Sequence, residues 1–141
     1  MTTKIESTVK YSEIDSMGIV HHTRYPKWFE AGRNDFLKNA GLPSGTLNAL
    51  GLYLPLTEMN CKYKSPARFG DEITIITSLI HASCVKLKFG YTIINKSSGK
   101  ILATGITTHA WTNKALKPFN IEKADPEIYI WIKKLEEAPS Q

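Results

Sequence analysis

The stretch EIDSMGIVHHTRYPKWFEAGRNDFL (residues 13–37) decides how this chain folds. From about Thr23 its apolar residues fall at helical spacing: Tyr25, Phe29, Gly32, Phe36 and Ala40 recur every three or four positions, and Trp28 widens the stripe. Thr23 is placed to cap the first turn. Pro26 is tolerated there because first-turn amides have no helical acceptor, and Gly41 and Pro43 follow as stop signals. A helix with so broad an apolar face needs a surface to cover. The residues just before it, Asp15, Gly18, His21 and His22, belong to neither a strand nor a helix pattern.

The rest of the chain supplies that surface. Ile5, Ser7, Val9 and Tyr11 alternate in a strand expected over Lys4–Ser12. Leu42–Leu56 reads as a connection whose end, Tyr53–Leu56, touches the sheet edge. Four more strands follow. Glu58–Lys64 ends at Ser65-Pro66. Ile73, Ile75, Thr77 and Leu79 alternate after a Phe69-Gly70-Asp71 turn. Val85, Leu87, Phe89, Tyr91 and Ile93 share a face opposite Lys86, Lys88 and Thr92. Lys100–Thr112 follows a hairpin at Asn95–Gly99. Asp125-Pro126 then caps a short amphipathic helix carrying Ile128, Trp131, Ile132 and Leu135. The pattern predicts an α+β fold: a curved antiparallel sheet wrapped around one long central helix. The expected organisation is a single domain over residues 1–141, with a C-terminal helical extension from about 120. Ile94, Leu102 and Ile106 fall on the outer face of the sheet, which points to packing against another subunit.

Composition narrows the function. The chain has 141 residues, a net charge of +5 and only two cysteines, Cys61 and Cys84, too far apart for a zinc cluster or disulfide framework. No apolar run approaches the roughly 20 residues of a membrane span, and the N-terminus does not resemble a signal peptide, so a cytoplasmic setting is expected. The basic residues are scattered, without an arginine-rich arm or a nucleic-acid-binding signature. The charge permits an anionic ligand without identifying one.

Residues Asp15-Ser-Met-Gly18-Ile-Val20-His21-His22-Thr-Arg-Tyr25-Pro-Lys-Trp28-Phe29-Glu30 resemble the signature of the 4-hydroxybenzoyl-CoA thioesterase family, which has the hotdog fold. The likeness is greatest to its branch of acyl-CoA thioester hydrolases associated with the Tol-Pal system. Tyr63-Lys-Ser-Pro-Ala67 followed by Gly70-Asp71, and Ala103-Thr-Gly105 with Thr108-His109, resemble further family patterns. The resemblance spans roughly residues 4 to 119. It implies an acyl-CoA thioesterase that releases a free acid and coenzyme A, acting as a homo-oligomer, a tetramer built from dimers with sites at subunit interfaces. No cofactor is implied, since coenzyme A is part of the substrate.

In that light Asp15, otherwise a turn former, takes the family's catalytic carboxylate position, either as a general base for water or as a nucleophile. The backbone amide of His22 becomes the oxyanion donor at the helix start, where such a group is worth on the order of 3 kcal/mol of barrier. Gly18, Val20 and Tyr25 fall beside the substrate. The His22 side chain could orient water, bind the sulfur side or fill space, and Tyr25 serves equally as an aromatic anchor. Glu30 is a rival carboxylate, with an ion pair to Arg33 or a contact to Asn34 as its structural role. Adjacent histidines with one aspartate are not a zinc spacing, and no serine nucleophile elbow is present. Lys86, Lys88 and Arg68 are candidates for the coenzyme A phosphates. Other readings are an acyl-CoA-binding module without catalysis, a hotdog enoyl-thioester hydratase or dehydratase, and a cell-envelope partner protein.

Overall fold

The structure is a computed structural model and describes residues 1–136. Five strands form one sheet: β1 (Thr2–Thr8), β2 (Leu56–Tyr63), β3 (Glu72–Ala82), β4 (Lys86–Asn95) and β5 (Ile101–Ala110). They are ordered β1-β3-β4-β5-β2, and every neighbouring pair is antiparallel. The central helix α1 (Tyr25–Asn39) is preceded directly by a 3-10 turn, His22–Arg24. Short helices α2 (Thr46–Ala49), α3 (Ile121–Ala124) and α4 (Pro126–Lys133) complete the chain.

The expected α+β architecture is what forms. Tyr25, Trp28, Phe29, Gly32 and Phe36 bury one face of α1, and alternate residues of the three central strands meet it. Phe29 stacks on Tyr91 with ring centroids 4.5 Å apart, and Phe36 meets the edge of Phe89 at 5.6 Å. Two glycines set how deeply the helix lies. A Cβ on Gly32 would stand 2.4 Å from Thr77 Oγ1. One on Gly105 would stand 2.4 and 2.5 Å from the Phe29 ring and 2.9 Å from the Asn60 carbonyl. No side chain fits at either place. The helix ends as its stop signals require: the amides of Gly41 and Leu42 return to the carbonyls of Lys38 and Leu37.

Several local expectations are corrected. The first strand stops at Thr8, and Tyr11, expected on the buried face, is 79% exposed in a 3-10 turn. Thr23 does not cap α1, which has no side-chain cap; the 3-10 turn before it is capped by the His21 ring, with Nδ1 accepting from the Thr23 amide at 3.2 Å. Val85 precedes β4 and is exposed. Leu102 is not on the outer face. Ile93 pairs with Ala103 and Ile94 with Ile101, so Leu102 is the extra residue of a register shift, and its side chain joins the core. Ile94 and Ile106 remain half-buried. The Tyr53–Leu56 segment does meet the sheet edge, through a bridge between Tyr53 and Thr112.

The C-terminal helix begins where Asp125-Pro126 predicts, with Asp125 Oδ1 accepting from the Ile128 amide at 3.1 Å. It packs at the far end of α1, where Trp131 Nε1 donates to the Ala40 carbonyl at 2.9 Å. Among the described residues no helix is long and apolar enough to cross a membrane.

The Gly105 contact yields a direct test. Gly105→Ala forces a methyl group against the Phe29 ring and a fixed backbone carbonyl, and should lower stability by about 2–3 kcal/mol. Urea denaturation of the two proteins measures the difference.

Candidate active site

Between the end of β1 and α1 the chain makes a tight excursion. Ile14 and Val20 form a bridge, Ile19 bridges Arg68, and the Val20 amide donates to the Ala67 carbonyl at 2.9 Å. Gly18 turns the chain at φ +80°, a conformation that side chains resist. Asp15 opens this turn. Its Oδ1 accepts from the Met17 amide at 2.8 Å and, more weakly, from the Ile19 amide at 3.4 Å. Oδ2 has no hydrogen-bond partner among the described residues. The carboxylate is thus fixed through one oxygen and available through the other.

The helix start lies beside it. His22 is the first residue of the 3-10 turn, where an amide has no intrahelical acceptor, and no other acceptor meets it among the described residues. The His22 carbonyl accepts from the Tyr63 hydroxyl at 3.3 Å, which ties the helix start to the end of β2. The His22 side chain is exposed and stacks on His21, with centroids 4.2 Å apart. Tyr25 is 3% exposed, with its ring edge-on to Trp28 and Tyr63. Burial, followed by nearby Cys61 and Tyr63, pushes its hydroxyl up to about 12, while a backbone hydrogen bond with Ala67 works against the shift. Tyr25 is therefore a neutral anchor throughout the physiological range.

Asp15, Val20, His22 and Tyr25 all line one cavity of about 380 Å³. Gly18 shapes the turn but does not line the cavity. Tyr63 and Lys64 complete its wall, and neither stands out by residue type. Their signal was the Tyr63–Ala67 pattern, whose nearness to Asp15 depends on the Val20–Ala67 hydrogen bond. Of the expected basic residues, Arg68 is exposed beside the turn, while Lys86 and Lys88 stand on β4, away from the cavity. Among the described residues no three metal-ligating side chains cluster.

A family model described as the thioesterase-like superfamily matches residues 9–132. The chain belongs to that family. YneP of Bacillus subtilis, for which acyl-CoA thioesterase activity is proposed, is 31% identical over 88% of this chain and 90% of its own. Among solved structures, the hypothetical protein TT1821 from Thermus thermophilus superposes with a TM-score of 0.86. It is 33% identical and covers 98% of this chain and all of its own (100%). The DHNA-CoA thioesterase of Staphylococcus aureus superposes with a TM-score of 0.87 at 25% identity, over 94% of this chain and 89% of its own. YbgC of Escherichia coli is more distant, 28% identical over 62% of this chain and 65% of its own. The fold is the hotdog arrangement, and the superfamily's thioesterase members are its relatives.

The rival carboxylate Glu30 and the buried His109 lie elsewhere. Glu30 is exposed on α1 and, among the described residues, makes no ion pair with Arg33 or any other base, contrary to expectation. His109 is buried on β5, with Nδ1 3.1 Å from the Leu54 carbonyl and Nε2 3.0 Å from Thr107 Oγ1. Burial, and secondarily the charge of Arg33, push its pKa down to about 4. The folded protein therefore binds this proton less readily than the unfolded chain, whose histidine titrates near 6.5. Stability contributed by neutral His109 is present at neutral pH and is lost between about pH 6.5 and 4. The loss is on the order of 2 kcal/mol after allowance for solvent screening. Chemical denaturation of wild type and His109→Gln at pH 7 and pH 4 measures it: the variant should be less stable at pH 7 and lose less on acidification.

Proposed function

We propose that this protein hydrolyses an acyl-CoA thioester to a free acid and coenzyme A, with the reaction centred on Asp15. The observation that carries this reading is the pairing of a carboxylate held through one oxygen with an unpartnered helix-start amide at His22, beside a single cavity. Thioester hydrolysis needs both: a base or nucleophile at the carbonyl carbon, and a donor fixed where the carbonyl oxygen gains charge. Asp15 Oδ2 serves either as general base to water or as the attacking nucleophile. The His22 amide receives the oxyanion, Gly18 shapes the turn, and Val20 and Tyr25 line the acyl side.

Relatives support the substrate class. One is named for DHNA-CoA hydrolysis, and acyl-CoA thioesterase activity is proposed for another. The Asp15–His22 spacing keeps the Tol-Pal-associated branch as the finer affiliation, and the two free, half-buried cysteines suit a cytoplasmic setting. Lys64 at the cavity rim suits the phosphates of coenzyme A. A hydratase would need a histidine placed across the acyl chain from the carboxylate, whereas His22 lines the cavity beside Asp15 and both ring nitrogens of His109 are engaged.

The working unit in this reading is a homo-oligomer. β2 is a sheet edge, exposed along almost its whole length, with Leu56, Met59 and Tyr63 39–54% exposed. An unprotected edge of this kind is a template for a second copy, and a tetramer then follows by pairing of dimers.

Asp15→Asn should lower kcat for thiol release by on the order of 10³-fold or more while leaving the circular dichroism spectrum unchanged. Undiminished release of coenzyme A by this variant across acetyl, long-chain and aromatic esters would sink the assignment. Met59→Lys places a charge in the proposed contact and should shift the protein toward monomer in analytical ultracentrifugation; an unaltered sedimentation profile would refute β2 as the contact.

A further inference from the structure

The Asp15 cavity has a neighbour further along the same helix and the same edge strand. His22 of the 3-10 turn and Pro26, Glu30 and Arg33 of α1 form one stripe at helical spacing, along the flank of the buried face. Opposite it, Tyr63, Cys61 and Met59 form one row of β2, paired in register with Ala103, Gly105 and Thr107 of β5. The stripe runs for about 16 Å along the helix and the row for about 13 Å along the strand; we read the space between them as one trough. The Asp15 cavity occupies one end. A second cavity of about 210 Å³ occupies the other, walled by Pro26, Leu56 and Met59 and carrying Lys27, Glu30 and Arg33.

The charge at that far end is unusual. Arg33 is half-buried, has no ion-pair partner among the described residues, and meets only the Tyr91 hydroxyl, at 3.4 Å. The Tyr91 hydroxyl is 2.7 Å from Thr107 Oγ1, which is 3.0 Å from His109 Nε2, and His109 Nδ1 is 3.1 Å from the Leu54 carbonyl. A carbonyl only accepts, so Nδ1 carries the proton. Neutral His109 then accepts at Nε2 from Thr107, and Thr107 accepts from Tyr91. Every hydrogen of the relay is committed inward, and Tyr91 turns only lone pairs to Arg33. Tyr91 and Thr107 therefore offer no free hydroxyl hydrogen, while the guanidinium keeps most of its five donors. A ligand group that meets the guanidinium must be an acceptor. An anionic acceptor suits it best, since Lys27 and Arg33 together outweigh Glu30.

We infer that Arg33 determines specificity by receiving a carboxylate at the distal end of the acyl group, so that the preferred substrates are CoA monothioesters of dicarboxylic acids. This rests on the thioesterase reading, which places the thioester at Asp15. A guanidinium binds a carboxylate through two parallel hydrogen bonds, which gives geometric selectivity over a plain alkyl end. The apolar walls accept the methylene chain between the two ends.

The test uses the intact protein and a matched pair of esters, decanoyl-CoA and the mono-CoA ester of decanedioic acid. The wild type should favour the carboxylated ester in kcat/KM. Arg33→Met should reduce that preference ten-fold or more, through KM, and Arg33→Lys should fall between them. Calorimetric binding of both esters to Asp15→Asn and to Asp15→Asn with Arg33→Met reads the same preference without turnover. A wild type that binds the carboxylated ester preferentially but releases no thiol would overturn the thioesterase reading alone. A preference that is absent, or that survives Arg33→Met, overturns the role of Arg33. So does an equal loss for both esters, which marks Arg33 as structural.

Discussion

Everything near the candidate site depends on how closely α1 approaches the sheet. That distance is set by the absence of two side chains, at Gly32 on the helix and Gly105 on β5. With Thr77 Oγ1 and the Phe29 ring occupying the space a Cβ would need, the helix axis cannot retreat without opening a void in a core where density matters. The depth of the helix fixes the height of its first turn. Its first turn in turn fixes where the His22 amide stands relative to the Asp15 turn. A packing contact in the middle of the helix thus sets the geometry of chemistry at its end.

The Asp15 turn is held from a different direction. Its connections run to the segment after β2, through the Val20 amide and the Ala67 carbonyl, and through the Ile19–Arg68 bridge. Tyr63 links that same segment to the helix start by donating to the His22 carbonyl. Carboxylate, helix start and β2 therefore form a closed circuit of short bonds. Each is weak taken alone, but together they leave little freedom to the two groups a thioester would meet. Preorganisation of this kind is what gives an oxyanion donor its effect, because no reorientation is needed as charge develops.

Much of this was legible in the residues. The central helix, expected from about Thr23 and formed from Tyr25, its stop at Gly41, the five strands and the Asp125-Pro126 cap all followed from periodicity and from residues with strong backbone preferences. The errors share one cause: they lie where a tertiary contact outweighs a local pattern. Tyr11 continues the alternation of β1, but the chain turns after Val9. Thr23 is a good capping residue, but its amide and hydroxyl both meet the His21 ring, which caps a 3-10 turn ahead of the helix. Leu102 alternates outward, yet a register shift brings it inward. Glu30 and Arg33 have the spacing of an ion pair, but Arg33 is drawn toward Tyr91. At the site, Asp15, His22 and Tyr25 could be read from one contiguous segment. Tyr63 and Lys64 could not be, because their place there depends on hydrogen bonds between segments some forty residues apart.

β5 carries the deepest consequence of that long-range order. Its inward positions change character along the strand: Ala103 and Gly105 are small, while Thr107 and His109 are polar. The small residues lie under the apolar face of α1, where Phe29 fills the space they leave. The polar ones are satisfied by Tyr91 and by the Leu54 carbonyl, so their burial does not leave orphaned groups. A core built only to be stable would continue with aliphatic residues there, since a polar network adds little net stability over a well-packed apolar one. The network does supply a direction. With His109 neutral and its Nδ1 proton committed to Leu54, the polarity of every bond back to Tyr91 is determined, and with it the face that Arg33 meets. One strand thus sets both how deeply the helix sits and which chemistry the far wall of its trough presents.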